Sequence, residues 1–445
     1  MNKGLRIALG FAALLFLSFA PSKRQKIEFV EYDLDNGLHV ILHEDHTTPN
    51  VAVTVLYHVG SKNEDTARTG FAHFFEHLLF EGSENIGRGE FDNHVENAGG
   101  VLNANTSFDR TFYYEVLPSN YLELGLWLES ERMLHAKVDN IGVETQRKVV
   151  MEEKRQRIDN RPYASWIGEI YKRAFTEHPY RWQPIGSMRH LAAATEEDYK
   201  NFYKTFYIPN NATLSIAGDI DIARAKKWIE MYFGSIPKGG EVPRPQVVEK
   251  PLKEEVRDVV YDNIQLPAVA IGYRIPEQGT KESYALEMAS YLLSRGESSL
   301  FRKNIVNDQQ IAIQAFSFAM SNEDPGIFFN FGICNGERTP EELEKAMDEQ
   351  VELLKSQPIS DRDIQKLQNI VENAFVSGFS SINSRAESLA NYHVYYGDAD
   401  LINTEIDSYM SITKEDIKDA VNKYLNKDNR VVLHYLPMSE KPENE

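Results

Sequence analysis

The chain has 445 residues, 42% of them apolar and 11% aromatic, which is enough for two or three domains with substantial cores and too apolar for a disordered protein. Its formal charge of -19 excludes a nucleic acid as the natural partner, because a phosphate backbone needs a basic face. The single cysteine, Cys334, rules out an intramolecular disulfide and a cysteine-based zinc site, and its apolar run Gly326–Cys334 predicts a packed thiol.

At the N-terminus, Lys3 and Arg6 precede an apolar stretch over residues 7–19 and then Pro21-Ser22-Lys23-Arg24. This pattern predicts a secretion signal over residues 1–26, either cleaved or kept as an anchor, and hence an exported, periplasmic or membrane-associated protein of bacterial type. The stretch is short for a membrane span. Residues 29–42 then alternate around Asn36-Gly37, read as a two-residue hairpin turn, and residues 51–59 give a further alternating strand. His39, His43, His46 and His58 fall on or beside these strands, where solvent-facing or hydrogen-bonded imidazoles are the ordinary expectation.

The most informative stretch follows. His73-Phe74-Phe75-Glu76-His77 sets two imidazoles four apart in an apolar helical run over residues 71–80. Positions i and i+4 share one face of a helix, so both rings reach one ion while Glu76, at i+3, stands beside it as a base. Zinc is the expected occupant, one per chain. A packed core would have to satisfy these polar groups separately, whereas a metal satisfies them together. Zinc that hydrolyses substrates takes three protein ligands and leaves a position for water. The reservoir for the third is Val149-Val150-Met151-Glu152-Glu153, in which adjacent carboxylates point about 100° apart and cannot both face the ion.

Between these segments, Ala98-Gly99-Gly100 turns into a strand over residues 101–108, and a second strand spans 111–117. Amphipathic helices are expected over Leu122–Leu134 and residues 141–157, and His94 falls near the cleft by sequence. The order then repeats. Thr195-Glu196-Glu197-Asp198 opens a helix leading to a strand over 212–217, and Thr413-Lys414-Glu415-Asp416 opens one leading to 431–435. His77-Leu78-Leu79 with Gly82 is echoed at nearly the same offset by Tyr291-Leu292-Leu293 with Gly296. The fold expected is therefore α+β, two tandem homologous half-units, each an antiparallel sheet covered by helices. Their spans are 27–238 and 253–438, joined by a Pro- and Gly-containing linker over 239–252 and followed by a disordered tail over 439–445. The repeat is its own control, since Glu287, Ser290 and Tyr291 stand where the first copy has His73, Glu76 and His77. The fold does not need the metal residues for packing.

The inverted spelling H-x-x-E-H marks the inverzincins, and the chain resembles the pitrilysin/insulinase family over roughly residues 29–437. The likeness includes Gly99-Gly100-Val101-Leu102-Asn103-Ala104-Asn105-Thr106 with Asp109 and Thr111, His178-Pro179-Tyr180 with Ile185-Gly186, and Tyr207-Ile208-Pro209-Asn210-Asn211. It implies a zinc endopeptidase acting on peptides or small unfolded segments, with His73, His77 and Glu153 as ligands, since the family spacing selects Glu153 over Glu152. It also implies Glu76 as general base, and an edge strand of Val101, Asn103, Ala104 and Thr106 that takes a peptide as an added strand.

Two departures stand out. Gln146 replaces a second family glutamate, and Val306 and Ile313 stand where active members resemble one another in an arginine and a tyrosine seven apart. The resemblance is closest to the metal-bearing subunit of two-chain processing peptidases, which implies a dimer with a copy or a related subunit supplying the missing pair. The rival expectation is a non-catalytic scaffold or partner subunit of the same fold, but such scaffolds lose ligands that are all retained here. A metal-storage protein would have no use for Glu76.

Overall fold

The computed structural model describes residues 26–442, so the secretion signal expected over 1–26 lies, apart from Lys26, outside the described residues. Among the described residues, eleven strands form two sheets. The first half supplies β1 (Val30–Asp33), β2 (His39–Glu44), β3 (Asn50–Tyr57), β4 (Val101–Thr106), β5 (Thr111–Pro118) and β6 (Ala212–Gly218), and the second supplies β7 (Val256–Asp262), β8 (Ala268–Ile275), β9 (Ala312–Met320), β10 (Gly326–Cys334) and β11 (Arg430–Pro437). The sheet orders are β1-β2-β6-β3-β5-β4 and β7-β11-β8-β10-β9. Without β1, the two orders correspond strand for strand, including one parallel pair in each, β2 with β6 and β7 with β11, among otherwise antiparallel neighbours. The tandem α+β halves are thus present, each sheet antiparallel but for one pair.

The hairpin between β1 and β2 differs from expectation. Gly37 N–H donates to Leu34 O at 2.8 Å and Leu34 N–H to Leu38 O at 2.9 Å, and of the turn residues only Gly37 has positive φ. This is a three-residue loop closed by a left-handed glycine, not a two-residue turn. The reason is Asn36, whose side-chain amide donates to Phe233 O and Ile236 O and is thereby committed to the helix Ile222–Phe233.

The central strands are buried on both faces, and their side chains alternate between two cores. Val53, Val55, Leu214 and Ile216 face the helices of their own half. Ile41, Ala52, Leu56, Phe112 and Ala217 face the other way, onto helix Ile382–Tyr396 of the second half, through Ala386, Leu389 and Ala390. The second sheet mirrors this arrangement: Ala268, Ala270, Phe329, Val431 and Leu433 pack on Trp166, Ile170 and Tyr171 of the first-half helix Trp166–Ala174. The close approach is why position 272 is glycine, since a Cβ there would lie 2.3 Å from Ile170 Cγ2. Each half therefore lends one helix to the other.

Polar groups reinforce the joint. Lys62, with its side chain 5% exposed, lies 3.0 Å from Asp109, 2.6 Å from Glu323 and 3.2 Å from Asp324. Tyr180 donates to Asp109 at 2.6 Å, and the His58 ring lies 2.8 Å from Glu323. The linker carries no helix or strand yet is pinned, with Glu249 accepting from three successive backbone N–H groups at Thr176, Glu177 and His178. A short 3-10 turn, Met438–Glu440, reaches into the tail expected over 439–445, of which residues 443–445 lie outside the described residues. Among the described residues no helix is long and apolar enough to cross a membrane.

Candidate metal centre

The motif lies on helix Phe71–Leu78, which begins after Gly70 in the left-handed region at φ 94°. Glu64, buried beneath that end, accepts from Gly70 N–H and Ala72 N–H, both at 2.8 Å, and so replaces the missing cap. Phe71, Phe74 and Phe75 pack on Tyr199 and turn the opposite face of the helix, with both histidines, away from the core.

The third group arrives on helix Asn140–Lys154. Asp139 caps it by accepting from Gly142 N–H at 2.8 Å, and Arg147 ties it to the Leu191 and Ala194 carbonyls. At its last turn Glu152 points to solvent and meets Arg155 at 3.2 Å, whereas Glu153 turns inward. Glu153 Oε2 lies 3.0 Å from His77 Nε2 and 3.6 Å from His73 Nε2, and Arg157 holds Glu153 Oε1 at 2.7 Å. The two rings stand 4.9 Å apart at 74°.

A metal suits this arrangement on the evidence of the atoms themselves. Glu153 Oε2 is buried, and its one close polar neighbour besides His73 is the His77 ring nitrogen, at 3.0 Å and poorly aligned for a hydrogen bond. Three donors converge with only the 3.0 Å contact of His77 and Glu153 between them, and an ion would satisfy them as a set. Two imidazoles and a carboxylate are a borderline-soft set that fits zinc. Burial pushes the His73 imidazole down to about 4, helped by the neighbouring His77, so it is a neutral donor at physiological pH. The His77 ring in turn holds the Glu153 carboxyl below its ordinary range.

Glu76 stays out of the cluster. Its Oε2 accepts from Thr106 Oγ1 at 2.6 Å, and burial raises its pKa while that hydrogen bond opposes the rise. Thr106 ends β4, so the motif helix and the edge of the first sheet meet at this contact. β4 is an edge strand, paired only with β5; Val101 is 63% exposed, Asn103 is exposed and Ala104 is buried. The Ala104 N–H donates to Asn103 Oδ1 at 2.9 Å.

Sequence reasoning did not identify the supports. Gln146 donates to Glu81 at 2.6 Å, and Glu81 pairs with Arg88, which grips Asp139 at 2.9 and 3.0 Å. That relay links the far end of the motif helix to the cap of the second helix. The i,i+4 spacing of Glu153 and Arg157 was a readable signal, but Glu64, Glu81 and Arg88 had none. Val306 lies in the π-helical segment Phe301–Asp308 and Ile313 is 49% exposed on β9, and neither side chain carries a polar group. In the second half, Tyr291 and Tyr409 both donate at 2.5 Å to Glu287, which stands where the first half has His73, so phenols satisfy the group at that place. His94, expected near the cleft, packs edge-on against Trp127 at 5.4 Å.

Comparison with known proteins gives a consistent picture. Residues 39–185 match the family model described as Insulinase (Peptidase family M16), and residues 193–371 match the one described as Peptidase M16 inactive domain. The chain is 32% identical over 438 residues to a protein named zinc protease PqqE from Helicobacter pylori, covering 96% of this chain and 98% of the relative. It is 21% identical over 402 residues to a protein named uncharacterized zinc protease YmxG from Bacillus subtilis, covering 90% and 97%. A crystal structure described as a protease from Helicobacter pylori superposes with a TM-score of 0.88 at 30% identity, over 92% of this chain and all of that one.

Proposed function

Because the chain belongs to the insulinase family of peptidases, M16, we propose that it is a zinc-dependent endopeptidase in which His73, His77 and Glu153 hold one zinc ion and Glu76 is the general base. The observation that carries this reading is the convergence of two ring nitrogens and one carboxylate oxygen from two helices, beside a second, half-buried carboxyl that stays apart.

Bound there, zinc supplies Lewis acidity, bringing the pKa of a water toward neutrality and drawing charge from a carbonyl oxygen. The remaining work falls to the side chains. Thr106 fixes Glu76 Oε2, leaving Oε1 to take a proton from the attacking water and return it to the departing amine. Arg157 fixes Glu153 Oε1, which leaves Oε2 turned toward the imidazoles. A peptide adds to β4 as a further strand along Val101, Asn103, Ala104 and Thr106. Its carbonyl displaces Asn103 Oδ1 from the Ala104 N–H, so Asn103 blunts the edge until a peptide arrives.

The apolar Val306 and Ile313 motivate a further part of the proposal: a second chain, either a copy or a related subunit, supplies the polar pair across a shared chamber. Export rests on Lys3, Arg6 and the apolar run that follows them. The deciding experiment is Glu76→Gln. It should keep zinc at the wild-type level and lose on the order of 100-fold or more in peptide hydrolysis. Undiminished turnover would remove Glu76 from the chemistry, and no cleavage by the wild type, alone or with partner chains, would favour the scaffold reading.

A further inference from the structure

We propose that Glu31, His39 and His393 form a second site for a divalent transition-metal ion, which clips the opening hairpin to the helix lent by the second half. These residues come from β1, β2 and helix Ile382–Tyr396, the two histidines being more than 350 residues apart in sequence, and each offers a ligand atom within 4.8 Å of the others. The site shares no residue with the first.

The rings of His39 and His393 lie face to face, with centroids 3.4 Å apart and planes 3° from parallel. Around His39 the carboxylates are arranged by strand register: Asp33 is its cross-strand partner, and Glu31 is two residues away on the same face. Asp33 Oδ1 lies 2.8 Å from His39 Nδ1, and Glu31 Oε2 lies 3.3 Å from its Nε2. Both His39 nitrogens thus meet carboxylates, Asp33 orienting Nδ1 while Glu31 shares at Nε2 the hydrogen bond that an ion held between them would replace. His393 makes no side-chain hydrogen bond among the described residues, so its contact with His39 leaves its lone pair uncommitted.

The donor set selects the ion. Two imidazoles with a carboxylate suit zinc, nickel or copper and not calcium or magnesium, which take oxygen ligands. Entry is direct, since the side chains of Glu31 and Asp33 are 43% and 72% exposed while that of His39 is 13% exposed. Lone pairs lie in ring planes, so an ion shared by both rings must open them from parallel; this motion is available to partly exposed side chains. The consequence is mechanical. An ion held here joins the first hairpin of one half to a helix of the other, at the margin of the apolar contact of Ile41 with Leu389.

The test uses the untagged full chain, stripped with chelator and titrated with zinc, with bound metal measured by equilibrium dialysis and elemental analysis. Wild type should bind a second equivalent that His393→Gln and Glu31→Gln lose, while His77→Gln loses the other. In the His77→Gln background, zinc should still raise the thermal midpoint, and adding His393→Gln should abolish that rise. Peptide hydrolysis by His393→Gln should match wild type, which separates this site from the first. The proposal is overturned if Glu31→Gln and His393→Gln both bind as much zinc as wild type, whereas a single wild-type equivalent that His393→Gln loses and His77→Gln keeps would count against the first centre and not this one. Should His393→Gln fail to fold, the exposed Glu31→Gln decides alone.

Discussion

Thr106 contributes to both the base and the edge strand, and its hydroxyl gives a test at single-atom scale. The hydrogen bond it donates lowers the Glu76 pKa against the rise caused by burial. Thr106→Val keeps the shape and removes the donor, so the acid limb of the kcat/KM profile should move to higher pH, with zinc content unchanged and a rate loss of about tenfold at neutral pH. A pH–rate profile coinciding with wild type would show that the contact is structural only. His73 gives a second test, on chelated protein. Its imidazole titrates at about 4 when folded against an ordinary 6.5, so the unfolded chain binds the extra proton between those values. Stability of the metal-free protein should therefore fall as pH drops from 6.5 toward 4, with no further contribution below that. Denaturant titrations across that range should show a shallower slope in His73→Gln. Both histidines and both glutamates could be singled out from the chain, because helical spacing and a family resemblance identify them. Glu64, which caps the motif helix, could not, because a loop carboxylate under a helix end has no local spelling.

At the scale of elements, the edge strand carries the substrate hypothesis. Proline at position 104 removes the N–H that Asn103 now holds, and edge strands tolerate proline when that amide faces away from the sheet. Ala104→Pro should raise KM several-fold or more for long peptides while leaving zinc content intact; an unchanged KM would move the peptide elsewhere. The elements themselves were largely legible. Helix Leu122–Leu134 falls where its apolar spacing predicts, and β3, β5 and β6 fall within a residue or two of the expected spans. What alternation cannot say is which partner covers a face. Ala52 and Leu56 read as core residues, yet the helix lying on them comes from more than 300 residues further along the chain. The hairpin turn was misjudged for a related reason, since Asn36 is committed to carbonyls at 233 and 236 that no local rule includes.

For the whole molecule, reciprocal loan of helices makes the halves one cooperative body. Full-length protein should lose near-UV and far-UV circular dichroism at one denaturant midpoint, and residues 26–238 expressed alone should be aggregated or molten because Ile41, Leu56 and Phe112 lose their cover. Two separated transitions would mean that the borrowed helices contribute little. The same loan sets a schedule for biosynthesis. Until residues 382–396 have been made, the first sheet keeps an apolar flank open, and its own helix at 166–174 has no sheet to lie on until β8, β10 and β11 exist. Such a chain cannot close prematurely behind the ribosome. If it leaves the cytoplasm as proposed, that delay keeps it threadable through a translocation channel until β11 has been made, when both clasps shut together.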